Sequence, residues 1–88
     1  MRCLIVEDQQ ILLDLLSKIV ASFTEVTDVF KATSFQEANV LLQREPIDLA
    51  ILDSQLPDSD GSDIGDILIR SNPNAHLIIL SGSAESFI

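Results

Sequence analysis

Basic side chains are scarce in this sequence. Five Lys and Arg stand against 14 Asp and Glu among 88 residues, a formal net charge of −9 at pH 7. A chain so short of cations cannot build the clustered Lys and Arg that grip nucleic acid or an anionic membrane surface. It is better suited to holding a cation. Cysteine is almost absent as well: Cys3 stands alone, so no intramolecular disulfide can form and nothing points to a secreted, stapled scaffold. No apolar run approaches the ~20 residues that span a bilayer. The opening MRCLIVEDQQ meets Glu7 and Asp8 too soon for a signal peptide. No Gly-x-Gly follows that first apolar run, which excludes a dinucleotide-binding fold. These absences lead to the expectation of a reduced, cytoplasmic protein with neither nucleic acid nor membrane as a partner.

What is present is a dense hydrophobic fraction, 47% of the residues with a mean hydropathy of +0.33. That fits one well-packed domain over residues 1–88 rather than a disordered chain. CLIVED is a short apolar run ending in two acids, as a buried strand feeding a loop would be. QQILLDLLSKIVASF follows, with Leu12, Leu15, Leu16, Ile19, Val20 and Phe23 at helical spacing. EVTDVFKA, rich in Val, Thr and Phe, reads as a second strand. Ser34 with Glu37 three residues on makes a capping box for a second helix, and Pro46 stops it. IDLAILD is nearly continuously apolar, like a strand covered on both faces. IGDILIRSN gives a third helix, and AHLIILSGS a fourth strand. The alternation predicts an α/β fold: a parallel sheet with helices on both faces.

In open parallel sheets, ligands bind outside the carboxyl ends of the strands. The residues at those ends are Glu7 and Asp8, Asp53, and Ser81 with Gly82. Three carboxylates packed together repel and raise one another's pKa. A divalent cation relieves this, and Mg²⁺ commonly takes one or two carboxylates together with phosphate oxygens. With the cation in place, Asp53 is available as a nucleophile that can accept a phosphoryl group. The Ser81 hydroxyl can donate to a phosphoryl oxygen, and Gly82 leaves room for it.

IVEDQ (5–9), LDSQLPDSDG (52–61) and IILSGS (78–83), in that order and spacing, resemble the receiver domain of bacterial response regulators in two-component (phosphorelay) signalling. The resemblance implies a flavodoxin-like sheet of strand order 2-1-3-4-5. It implies Asp53 as phosphoacceptor, Asp8 as a direct Mg²⁺ ligand, and Glu7 as the acid reaching the metal through water. It also implies the main-chain carbonyl of Gln55 as a further ligand, Ser81 as the hydroxyl that meets the phosphoryl group, and Pro57 and Gly61 as shapers of the loop. The partner it implies is a sensor histidine kinase acting as phosphodonor.

The sequence also departs from that family. It supplies four strands and three helices and lacks the fifth βα unit, so it reads as a partial receiver truncated after the fourth strand. The fifth-strand lysine is missing, and the only lysines, Lys18 and Lys31, fall in the first helix and near the second strand. Phosphorylation is therefore expected to be impaired. The fourth strand, His76 to Leu80, is expected to be an open apolar edge, and the first helix to carry an uncovered apolar patch. Both favour a homodimer, by edge pairing or by segment exchange.

Blander readings exist for each residue. Asp53 can be a strand-end acid bonding loop N–H groups, Asp8 a helix cap, and Ser81 a turn hydroxyl. His76 has no second His or Cys nearby and reads as structural, and Cys3 as a small core residue. Asp58, Asp60, Asp63 and Asp66 lack the terminal Glu of a calcium loop and read as solvated acids. The alternative function is a degenerate, unphosphorylated receiver serving as an interaction module. A phosphate-hydrolysing enzyme is disfavoured, because Gln55 stands where such an enzyme has its general acid. No enzymatic activity is expected.

Overall fold

Each strand here is short because its apolar run is bounded by polar or charged residues. In order come β1 (Arg2–Val6), α1 (Gln10–Ala21), β2 (Asp28–Ala32), α2 (Phe35–Arg44), β3 (Leu49–Asp53), α3 (Ser62–Ser71) and β4 (His76–Leu80). The structure is a computed structural model and describes residues 1–53, 56, 58 and 62–80. The pairings among these four strands are parallel, in the order β2-β1-β3-β4. This is the expected doubly wound α/β architecture, with four strands and three helices among the described residues.

Side chains alternate between the two faces of a strand, and the core divides accordingly. Leu4, Val6, Ala50 and Leu52 face α2 and α3, where they meet Ala38, Leu42, Ile64 and Leu68. Cys3, Ile5 and Ile51 face α1, where they meet Leu13 and Val20. Each fully buried Leu or Ile contributes about 1.5–3 kcal/mol. β1 and β3 are buried on both faces because helices cover both, which is why their sequences run apolar without alternation. Gly65 sits where α3 presses on β4: a Cβ there would come within 3.0 Å of Leu77 Cδ2.

The first helix does not bury the stripe expected of it. Leu13 and Val20 are the buried residues, with Leu16 packed beside them. Leu15, Ile19 and Phe23 face outward, each about half exposed, and Ile11 is 88% exposed. The helix has more apolar residues than one face can bury, and the register onto Ile5 and Ile51 selects the Leu13 side. An uncovered apolar patch on α1 is thus present. On β4, Ile78 and Ile79 are 46% and 53% exposed, and β4 is an edge of the described sheet.

The amino-terminal end of the sheet is tied together by one cation. Arg2 pairs with Asp28 at 3.0 Å and Glu45 at 2.6 Å, and its Nε donates to the Pro46 carbonyl at 2.9 Å. Its guanidinium lies 5.0 Å from the centre of the Phe30 ring, a cation–π contact. Its main-chain N–H donates to Asp48 Oδ2 at 2.8 Å. The starts of β1, β2 and β3 are fixed at this one residue.

Candidate functional site

The strand order reverses direction between β1 and β3: one crossover leaves β1 toward β2, and the next returns past it to β3. The crevice for a ligand in such a sheet lies at the carboxyl ends of the strands flanking that reversal. Val6 pairs with Leu52 across this seam. The next residue on each side is an acid, Glu7 after β1 and Asp53 at the end of β3.

Glu7, Asp8 and Asp53 each offer a carboxylate oxygen, and these oxygens all lie within 4.8 Å of one another. Glu7 is buried, 2% exposed, while Asp8 is exposed and Asp53 intermediate. Burial is the largest cause pushing the Glu7 carboxyl up to about 7; its protonated form can donate to the Asp8 and Asp53 carboxylates, and the Asp53 charge adds to the rise. One bond acts the other way: the Gln9 N–H donates to Glu7 Oε2 at 3.1 Å. The Glu7 main-chain N–H donates to the Ala32 carbonyl at 3.0 Å, which anchors the acid to the end of β2. The start of α1 holds no side-chain cap. Its N-cap position is Gln9, so Asp8 is not the cap of this helix.

This donor set fits a hard divalent cation. Three carboxylates brought this close, one of them buried, leave an excess of negative oxygen that Mg²⁺ is suited to bind. Without an ion, a proton on Glu7 relieves part of the same repulsion, in keeping with the rise that burial and its acid neighbours impose on that carboxyl.

One residue of the loop after β3 does more than the sequence suggests. Asp58 is not merely a solvated acid: its two carboxylate oxygens accept the N–H groups of Phe35, at 2.8 Å, and Gln36, at 3.2 Å, at the start of α2. No local pattern could have disclosed this, since the partners lie 22 and 23 residues apart in the chain. Asp63 and Asp66 are exposed on α3, as expected of solvated acids. Gln55, Pro57, Asp60, Gly61, Ser81 and Gly82, all named from the sequence, lie outside the described residues. Of the two lysines, Lys31 pairs with Asp14 at 3.3 Å. Lys18 falls in the last turn of α1, which runs away from the carboxyl edge.

A reversal of strand order with acids gathered at its carboxyl edge defines a flavodoxin-like α/β domain with a group of carboxylates that could hold a cation. Residues 3–88 match the response regulator receiver domain, and the chain belongs to that family. The chain is 29% identical over 80 residues to a protein-glutamate methylesterase/protein-glutamine glutaminase of Rhodospirillum centenum. That match covers 91% of this chain and 20% of the relative, so the chain spans about a fifth of that protein's length. In structure it is similar to a CheY-like receiver domain protein from Methanospirillum hungatei, with a TM-score of 0.81 and 29% identity over 94% of this chain and 65% of that one. It is also similar to the MaeR response regulator bound to beryllium trifluoride, with a TM-score of 0.81 and 23% identity over 98% of this chain and 70% of that one. Among the described residues no helix is long and apolar enough to cross a membrane.

Proposed function

We propose that this chain is a cytoplasmic phosphoacceptor module whose Asp53 takes a phosphoryl group from a sensor histidine kinase. A carboxylate oxygen of Asp53 attacks phosphorus, the P–N bond to the donor imidazole breaks, and its electron pair stays on the imidazole nitrogen. The product is an acyl phosphate on Asp53 and a free histidine. The observation that carries this reading is the gathering of the Glu7, Asp8 and Asp53 oxygens within 4.8 Å at the switch between β1 and β3. Asp8, Asp53 and Glu7 would hold Mg²⁺, which would supply the positive charge that the phosphoryl oxygens need. Buried Glu7 orients the cluster, and exposed Asp8 leaves the site open to a donor. Gln55, Ser81 and Gly82 are proposed to complete it, as in the family. Lys31 is drawn to Asp14 and Lys18 falls in the last turn of α1, so this reading gives neither lysine a part in the transfer.

Beryllofluoride with Mg²⁺, followed by amide NMR, tests this reading. Saturable shifts at Glu7, Asp8 and Asp53 that vanish in Asp53→Asn are the expected result. Shifts with Mg²⁺ alone and none from beryllofluoride would sink phosphoryl acceptance and leave a metal-binding scaffold, the degenerate interaction module.

The half-exposed Ile78 and Ile79 on an edge strand support a second role, self-association. Two copies pair through β4 or exchange their terminal segments. Sedimentation of the 88-residue chain should show a dimer that Ile79→Lys dissociates. A monomer at all concentrations contradicts it.

A further inference from the structure

The start of α2 is closed by side chains from two distant places. Ser34 Oγ accepts the Glu37 N–H at 3.2 Å, and the Glu37 carboxylate turns back to the Thr33 N–H and hydroxyl at 2.7 and 2.8 Å. This local cap resembles a capping box shifted one residue outward, since the return bond goes to Thr33 rather than Ser34. Asp58 then takes the remaining free N–H groups of the first turn, those of Phe35 and Gln36. A carboxylate at a helix N-terminus is held both by charge-assisted hydrogen bonds and by the helix dipole. Asp58 lies five positions beyond Asp53 in the sequence. Between them Leu56 is buried in the same core as Ala38 and Leu42 of α2. The segment leaving Asp53 is therefore fastened at two points, one in the core under α2 and one on the N-terminus of α2.

We propose that Asp58 is a positioning residue: by pinning the segment that leaves β3 to α2, it fixes where the Asp53 carboxylate stands against Glu7 and Asp8. The inference rests on the reading of those three acids as a Mg²⁺ site. It differs from an ordinary capping role because Ser34 caps the same helix through the Glu37 N–H, within α2 itself, whereas Asp58 reaches α2 from beyond β3.

Three variants of the full chain separate the two roles: Asp58→Ala, Asp58→Asn and Ser34→Ala. Mg²⁺ affinity is read by amide NMR titration, and hydrogen exchange at the Asp53 and Leu56 amides is read without metal. Both alanine variants lower the thermal midpoint, as loss of a cap does. Asp58→Ala weakens Mg²⁺ binding about tenfold, the lower range for residues that orient metal ligands, and speeds exchange at Asp53 and Leu56. Ser34→Ala changes neither, and Asp58→Asn, which keeps one acceptor, falls between. Equal affinity and equal exchange in Asp58→Ala and Ser34→Ala overturn the inference. A wild type that binds no Mg²⁺ refutes the metal reading separately, and the exchange comparison then decides the tether: acceleration confined to the Asp58 variants supports it, and its absence overturns it.

Discussion

The two ends of the sheet handle the same excess of negative charge in opposite ways. At the amino-terminal end Asp28, Glu45 and Asp48 are gathered around Arg2, through its guanidinium and its main-chain N–H. At the carboxyl end Glu7, Asp8 and Asp53 are gathered around one another. The first arrangement lowers the energy of the folded chain by itself. The second crowds three acids together, and burial with the neighbouring acids pushes Glu7 up to about 7; on the proposed reading an outside cation relieves it. A small domain keeps such a cluster only where the rest of the fold can bear it, and the Arg2 hub with the two-faced core is what bears it.

The largest effect separating the two ends is on metal. Asp8→Ala should weaken Mg²⁺ binding about a hundredfold, the upper range seen even for residues that merely support ligands, while leaving thermal stability without metal equal or higher. Isothermal titration and a melting curve check both halves. Arg2→Ala should do the reverse. It removes two ion pairs, a carbonyl contact and the stacking on Phe30, and should lower the unfolding free energy by about 2 kcal/mol, with Mg²⁺ affinity unchanged within twofold. An equal loss of affinity would show that the two ends are not independent.

A smaller effect concerns pH in the metal-free protein. Glu7 binds its proton more tightly folded, at about 7, than its ordinary value of 4.5. Between these values the native state therefore carries more protons than the unfolded one, and stability falls as pH rises through that window. Glu7→Gln should flatten this slope and, at pH 8, be more stable than the wild type by about 1 to 2 kcal/mol. Denaturant melts at pH 5 and pH 8 measure it. A wild type whose stability rises between pH 5 and pH 8 relative to Glu7→Gln would contradict the sign.

Much of this was legible from local pattern. The acids that end CLIVED and AILD mark the carboxyl edge because a buried strand can carry a charge only where it surfaces. The Ser34–Glu37 cap was readable because its partners are three residues apart. Two things were not. The buried side of α1 was ambiguous because Ile11, Leu15, Ile19 and Phe23 offer a second apolar side, and only the sheet decides between Leu13 and Leu15. The grip of Asp58 on α2, like that of Arg2 on Glu45, joins residues far apart in the chain, and no periodicity carries such information.

The measurement that bears most directly on the contrast between the ends is denaturant unfolding of the wild type and Asp53→Asn, each with and without Mg²⁺. Without metal, Asp53→Asn should be the more stable protein, because one of three crowded charges is gone. With Mg²⁺ at a hundred times its dissociation constant, the wild type should gain about 2.7 kcal/mol and Asp53→Asn should gain little, so that the order reverses. Equal stability of the two proteins without metal, or an equal gain from Mg²⁺ in both, would contradict the account.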